Sequence, residues 1–226
     1  CAAAGRRLRH VRSPDAVPDD ESLAIVVHPN NPDGHHWRPT ALAALAARLA
    51  RGGGTLLVDE AFCDVSPEAS VVSAGFAGTV VLRSFGKFFG LAGLRLGFAI
   101  AAPDLVAGLS QWFGPWSVSG PALAVGTVAL GDEAWIAAAR RRLESDSLSL
   151  ASLLENNGFS VLGRTGLFVL AAHRRAPAIA LGLARRHILV RPFPERPQLI
   201  RFGLCATAVE LARLERALSA VASELA

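Results

Sequence analysis

Between Leu23 and Asp59 the chain alternates in a way that few folds accept. Leu23-Ala24-Ile25-Val26-Val27-His28 reads as a buried strand, and it runs into Pro29-Asn30-Asn31-Pro32-Asp33-Gly34, a turn built from residues that leave regular structure. Thr40 to Arg51, rich in alanine and leucine, reads as a helix stopped by Gly52-Gly53-Gly54. Thr55 to Val58 is a second buried strand, closing on Asp59-Glu60. Strand, helix, strand in succession argues for a parallel sheet and an α/β fold, because parallel neighbours need a crossover. Ligands gather at the carboxyl ends of strands in such sheets. Asn31 and Asp59 both follow such ends, although an Asn-Pro turn can be only a turn and an Asp-Glu after a strand only a helix cap.

A third apolar run, Thr79 to Leu82, delivers Ser84 and Lys87 into a loop punctuated by Gly86, Gly90 and Gly93. Eight residues past Lys87, Arg95 sits in another apolar run, a layout that suits a buried site. Lys87 is the chain's single lysine, and the other 22 of its 23 basic residues are arginines. Arginine keeps its proton near neutral pH, whereas a lysine ammonium can be shifted until the free amine attacks a carbonyl. The plain alternative is a surface lysine that survived in an arginine-biased composition.

This stretch resembles the cofactor-lysine segment of the class I/II aminotransferase superfamily, which uses pyridoxal phosphate (PLP). The resemblance implies that Lys87 binds the cofactor covalently and that Ser84 and Arg95 hold its phosphate. Asn31, in Asn31-Pro32-Asp33-Gly34, would bond the ring hydroxyl, and Asp59, in Asp59-Glu60-Ala61-Phe62, would pair with the pyridine nitrogen. Chemically the set is coherent: a guanidinium grips phosphate bidentately, a hydroxyl adds a bond, and a carboxylate keeps the ring nitrogen protonated so that the ring accepts electrons. Lys87 and Asp59 are then the catalytic candidates. Phe62 stands where many members of the superfamily carry a tyrosine, and this chain has no tyrosine at all.

The second half reads as a smaller α+β module. Asp132 can cap a long helix from Glu133 to Asn157, whose start we take as the domain boundary, giving a partial large domain over 1–131 and a small domain over 132–226. Short strands are expected at Phe159 to Leu162, Leu167 to Ala171, Ile188 to Val190 and Leu199 to Phe202, with helices at Pro177 to Arg186 and Thr207 to Leu225. Thr207-Ala208-Val209-Glu210 is a capping box for the last helix. Arg191 and Arg201 each interrupt or end an apolar strand; by resemblance to histidinol-phosphate aminotransferases, Arg201 would bind a substrate carboxylate with Arg191 and Asn31 close by. Pro115-Trp116-Ser117-Val118 resembles a family segment near the active-site mouth, or is an aromatic loop packed under a domain interface.

Composition narrows the remaining classes. A net charge of +4 and a pI near 9.7, with Arg140-Arg141-Arg142, Arg185-Arg186 and the Arg6 to Arg12 cluster, could suit nucleic acid, but no helix-turn-helix, zinc or RNA-binding signature accompanies them. An anionic cofactor or substrate accounts for the charge. No uninterrupted apolar run approaches the roughly 20 residues of a membrane span, so no membrane partner is expected. Cys1, Cys63 and Cys205 are scattered and odd in number, which fits a reducing cytosol, and the histidines (His28, His35, His36) lack the spacing of a metal site, so no metal is expected.

The fold these features imply is PLP fold type I: a large domain with a mostly parallel sheet and a small C-terminal α+β domain, normally a homodimer. Measured against that family, the amino-terminal arm and a phosphate-seating glycine loop are not in the chain. The wording Arg83-Ser84-Phe85-Gly86-Lys87-Phe88-Phe89-Gly90-Leu91-Ala92-Gly93-Leu94-Arg95, together with Phe62, looks most like the threonine-phosphate decarboxylases of cobalamin biosynthesis. The implied reaction converts L-threonine O-3-phosphate to (R)-1-amino-2-propanol phosphate. An aminotransferase of the histidinol-phosphate type is the second reading, and a truncated, non-catalytic member of the fold the third.

Overall fold

The computed structural model describes residues 5, 7–75 and 77–225; Cys1 and Arg6 lie outside them. Strand β1 (Leu23–Val27), helix α1 (Pro39–Arg51), strand β2 (Thr55–Asp59) and strand β3 (Thr79–Ser84) build a parallel sheet in the order β1-β2-β3. Strand β4 (Gly97–Ile100) adds to β3 as an antiparallel edge. Val27 pairs with Asp59, and Asp59 with Leu82, so the strands end level and their following loops meet at one rim.

Helix α1 forms because Leu42, Leu45, Ala46 and Leu49 recur at helical spacing, and all four are buried. It packs on Ala24, Leu56, Val58 and Val81, which alternate with site-facing residues along their strands. The reading of β1 as wholly buried needs correction: Leu23 is 43% and Ile25 51% exposed, because the helix covers only one face of the sheet.

Helices α2 (Pro103–Phe113), α3 (Gly120–Gly131) and α4 (Glu133–Asn156) follow. Asp132 caps α4 by accepting the Trp135 N–H at 3.0 Å, as its sequence position suggests. The start of α4 lies against the first unit, where Trp135 stacks on Phe89, while its end enters a second core with Leu150 and Leu154. Among the described residues no single helix is long and apolar enough to cross a membrane.

The second sheet is antiparallel and built from β5 (Ser160–Thr165), β6 (Phe168–Ala172), β7 (Arg191–Pro192) and β8 (Leu199–Gly203), in the order β5-β6-β8-β7. Helices α5 (Ala176–Ala184) and α6 (Ala208–Leu225) cover it, burying Leu183, Leu214 and Leu218 against Val169, Ile200 and Phe202. The α6 cap forms with a shift of one residue: Thr207 accepts the Glu210 N–H, and Glu210 accepts the N–H of Ala206. Ile188 to Val190 is not a strand. These residues leave α5 through His187 at φ 58°, and Ile188 donates its N–H back to Leu183; pairing starts only at Arg191, opposite Arg201.

The two sheets meet at a seam, approaching each other most closely at a pair of glycines. A Cβ on Gly34, at φ +70°, would lie 2.3 Å from the Arg164 carbonyl oxygen, and one on Gly163 would lie 1.9 Å from that of Asp33. Backbone therefore rests on backbone where the Asn31 turn meets β5.

The one-sided cover of the first sheet gives a test in urea denaturation. Ile25→Thr, on the open face, is expected to change stability by no more than about 0.5 kcal/mol, whereas Leu56→Ala, beneath α1, should cost about 2–5 kcal/mol.

Candidate active site

The loop after β3 is pinned by its aromatic residues. Phe85 and Phe88 are buried and flank Lys87, which is left pointing outward and exposed. Ser84 Oγ accepts the Gly86 N–H at 3.2 Å, which closes the turn and leaves the hydroxyl proton free to donate. Arg95 sits at φ 53°, a left-handed conformation that costs a non-glycine residue roughly 1–2 kcal/mol. The neighbouring Leu96 is buried and holds that turn in place.

Ser84, Gly86, Ala92, Arg95, Leu96 and Gly97 line a cleft of about 210 Å³. Its polar side chains are a hydroxyl and a guanidinium, and Arg95 has no carboxylate partner among the described residues, its one hydrogen bond going to the Ala92 carbonyl at 3.3 Å. Such a set of donors without a counter-anion suits a phosphate. At Gly86 this cleft adjoins a second one of about 440 Å³, which Lys87, Phe62, Phe168, Arg191 and Arg201 help to line.

In the larger cleft the charges rest on aromatic faces. Lys87 Nζ lies 5.3 Å from the Phe62 ring centre, the Arg201 guanidinium 5.2 Å from that of Phe168, and the two rings meet edge to face at 5.3 Å. Gly203 is the cross-strand partner of Phe168 and also lines this cleft. Burial, and then the neighbouring Arg191, push the Arg201 guanidinium below its ordinary pKa. Arg191 and Arg201 are paired across β7 and β8, and neither has a carboxylate partner among the described residues.

Asn31 is brought into the group by Arg201, which donates to its side-chain oxygen across the seam. Asp59 accepts the Ala61 N–H at 2.9 Å through one carboxylate oxygen; its other oxygen has no partner among the described residues. Neither Asn31 nor Asp59 lines either cleft directly. The site is also more open than the sequence suggests, since Lys87, Arg95 and Asn31 are exposed. They lie at the rim of the sheet face that nothing among the described residues covers. Trp116 is 93% exposed and lines neither cleft, which corrects the reading of an aromatic loop packed under a domain interface.

A family model described as "Aminotransferase class I and II" matches residues 15–221. The chain belongs to the aminotransferase class I and II family. Within it, the chain is 44% identical over 220 residues to a threonine-phosphate decarboxylase of Sinorhizobium sp., covering 96% of this chain and 65% of that protein. It is 43% identical over 218 residues to the threonine-phosphate decarboxylase of Pseudomonas aeruginosa, covering 95% and 66%. The chain thus spans just under two thirds of these relatives' length. The fold matches that of histidinol-phosphate aminotransferase from Sinorhizobium meliloti, solved with pyridoxal-5'-phosphate, at a TM-score of 0.82 and 24% identity over 91% of this chain and 58% of that one.

Two features of this family member's site were not singled out from sequence. Phe168 looked like one more apolar residue of a strand, and only the packing shows it against Arg201. Cys63, next to Phe62 in the chain, is fully buried and donates to the Ser66 carbonyl; burial, and then Glu60, push its thiol up to about 12 against the opposing pull of Arg83. A thiol is nucleophilic only as thiolate, and near pH 8 such a group is ionised to roughly one part in ten thousand. Iodoacetamide near that pH should leave Cys63 unmodified in the native protein and alkylate it in urea, as peptide mapping would show.

Proposed function

We propose that this chain carries most of a PLP-dependent enzyme that decarboxylates L-threonine O-3-phosphate to (R)-1-amino-2-propanol phosphate. The observation that carries the reading is a lone lysine beside two arginines without carboxylate partners in one cleft. That is the chemistry needed for an amino acid bearing two anionic groups. The identity to two threonine-phosphate decarboxylases across nearly the whole chain favours this substrate. A histidinol-phosphate-type aminotransferase would use the same lysine and arginines and differs in needing a 2-oxo acid.

In this reading Lys87 holds the cofactor's aldehyde, Ser84 and Arg95 take its phosphate, Asp59 pairs with the ring nitrogen and Asn31 reaches the ring oxygen. PLP, when bound, supplies an electron-accepting ring. Arg201 and Arg191 would bind the substrate's anionic groups, with the Phe168 ring supporting the Arg201 guanidinium from one side. Whether the bond from Cα to the carboxylate or to hydrogen is lost would be set by how these arginines hold the substrate. Lys87 Nζ is then the group placed to return a proton to Cα.

The division at 131/132 is supported by the capped start of α4 and by the separate apolar cores on either side. The free thiols of Cys63 and Cys205 support a cytoplasmic setting. A homodimer is the family's usual state, and the open apolar face of the first sheet gives it a surface to bury.

Borohydride reduction in the presence of PLP, followed by peptide mapping, should label Lys87; no label there would sink the cofactor assignment. With threonine phosphate the loaded protein should release carbon dioxide without a 2-oxo acid, whereas dependence on 2-oxoglutarate would favour the aminotransferase. Arg201→Ala should weaken substrate binding by about 1.5–3 kcal/mol while PLP binding survives, as titration of each ligand would show.

A further inference from the structure

The most deeply buried charge in the described residues has no part in the reading above. Glu60 is fully buried, and its carboxylate accepts three hydrogen bonds: Oε2 from Arg83 Nη1 and Ser70 Oγ, each at 2.7 Å, and Oε1 from the Val71 N–H at 2.7 Å. Arg83 spans two acids, since its Nη2 donates to Asp64 Oδ1 at 2.6 Å. Taking a carboxylate and a guanidinium out of water is expensive, and an apolar pair of similar volume often holds a fold equally well. What the charged pair adds is geometry, because the planar fork fixes both distance and direction.

Its position in the chain shows which geometry. Glu60 directly follows Asp59, and Arg83 directly precedes Ser84. Leu56, Val58 and Glu60 alternate with Leu57 and Asp59 on β2, and by the parallel register Thr79, Val81 and Arg83 share the face of Leu56, Val58 and Glu60. Asp59 and Ser84 therefore lie on the other face. Backbone pairing of the two strands ends where the Glu60 N–H meets the Leu82 carbonyl at 2.9 Å. Past that point β2 breaks into the 3-10 turn Cys63–Val65, β3 continues to Ser84, and among the described residues no further backbone hydrogen bond joins them. Side chains carry the link from there.

We propose that Glu60 and Arg83 are positioning residues whose bridge, completed by Asp64, fixes the separation between the Asp59 carboxylate and the Ser84 hydroxyl. This rests on the functional reading, in which those two groups take opposite ends of PLP, the ring nitrogen and the phosphate. With the strand ends locked, a ligand held by one group finds the other already in place, and the second contact forms without a further ordering cost. With the strand ends loose, the ring contact and the phosphate contact compete.

The ratio of dissociation constants for pyridoxal and PLP measures how much the phosphate adds once the ring is bound, and absorbance titration of the whole chain gives both constants. Arg83→Lys keeps the charge and loses the fork; Glu60→Gln keeps an acceptor for Val71 and loses the charge. In each the ratio is expected to fall on the order of tenfold, more through weaker PLP binding than through weaker pyridoxal binding. Ser70→Ala, which removes one brace on Glu60, should lower it less and serves where the other variants do not fold. Arg48→Lys, which weakens an ion pair with Asp19 in the last turn of α1, at the end of the sheet opposite the rim, is the control for general destabilisation and should leave the ratio unchanged.

A ratio within about twofold of wild type in the bridge variants, with only Tm lowered, would overturn the proposal and make the bridge purely structural. A wild type that binds PLP no better than pyridoxal would instead remove the phosphate role of Ser84 and Arg95, and the functional reading with it. The two failures are distinguished by the wild-type titration alone.

Discussion

The halves of this chain meet where two glycines let backbone touch backbone. At Gly34 and Gly163 there is no room for a methyl group, and the Asn31 turn and β5 lie against each other in consequence. That approach brings Arg201, on a strand of the second sheet, within reach of Asn31 on a loop of the first. The larger cleft is an outcome of the same contact, since Lys87 and Phe62 come from one side and Phe168, Arg191 and Arg201 from the other. A side chain at either glycine would part the walls of the site without touching any residue that lines it.

Stability and function are kept on opposite faces of the first sheet. Leu56, Val58 and Val81 are buried beneath α1, with the Glu60–Arg83 bridge at the end of the same face. The intervening residues end in Asp59 and Ser84 and line the rim. Because strand side chains alternate, each added residue of strand serves both purposes, and the site inherits the rigidity of the core one residue away. The aromatic contacts act in the same sense across the seam, where Phe62 and Phe168 each lie beneath a cation of the cleft.

Much of this was legible in the sequence because the informative signals were local. Alternating apolar runs and glycine stops located β1, α1, β2 and β3, and the residues singled out by spacing, Ser84, Lys87 and Arg95, stand around two adjoining clefts. What stayed hidden depends on partners far apart in the chain. The exposure of Ile25 follows from which elements cover the sheet, and an apolar run cannot state that. Ile188 to Val190 has strand-like residues but no neighbour to pair with until Arg191 meets Arg201. Gly163 carries no local signal of its own, and its importance appears only with Asp33 beside it. Arg83 was visible as a neighbour of Ser84, yet the acids it joins, Glu60 and Asp64, are 23 and 19 residues away.

The single lysine has a practical side. In this chain the only side-chain ε-amine stands exposed at the mouth of a cleft, between two buried phenylalanines that hold it outward. Dyes, cross-linkers and resins that are normally scattered over a protein's lysines have one such side chain to find here. Ordinary amine conjugation of this chain would thus place its label at the mouth of that cleft, besides the α-amine, and attachment to a surface through another functional group would leave the cleft open.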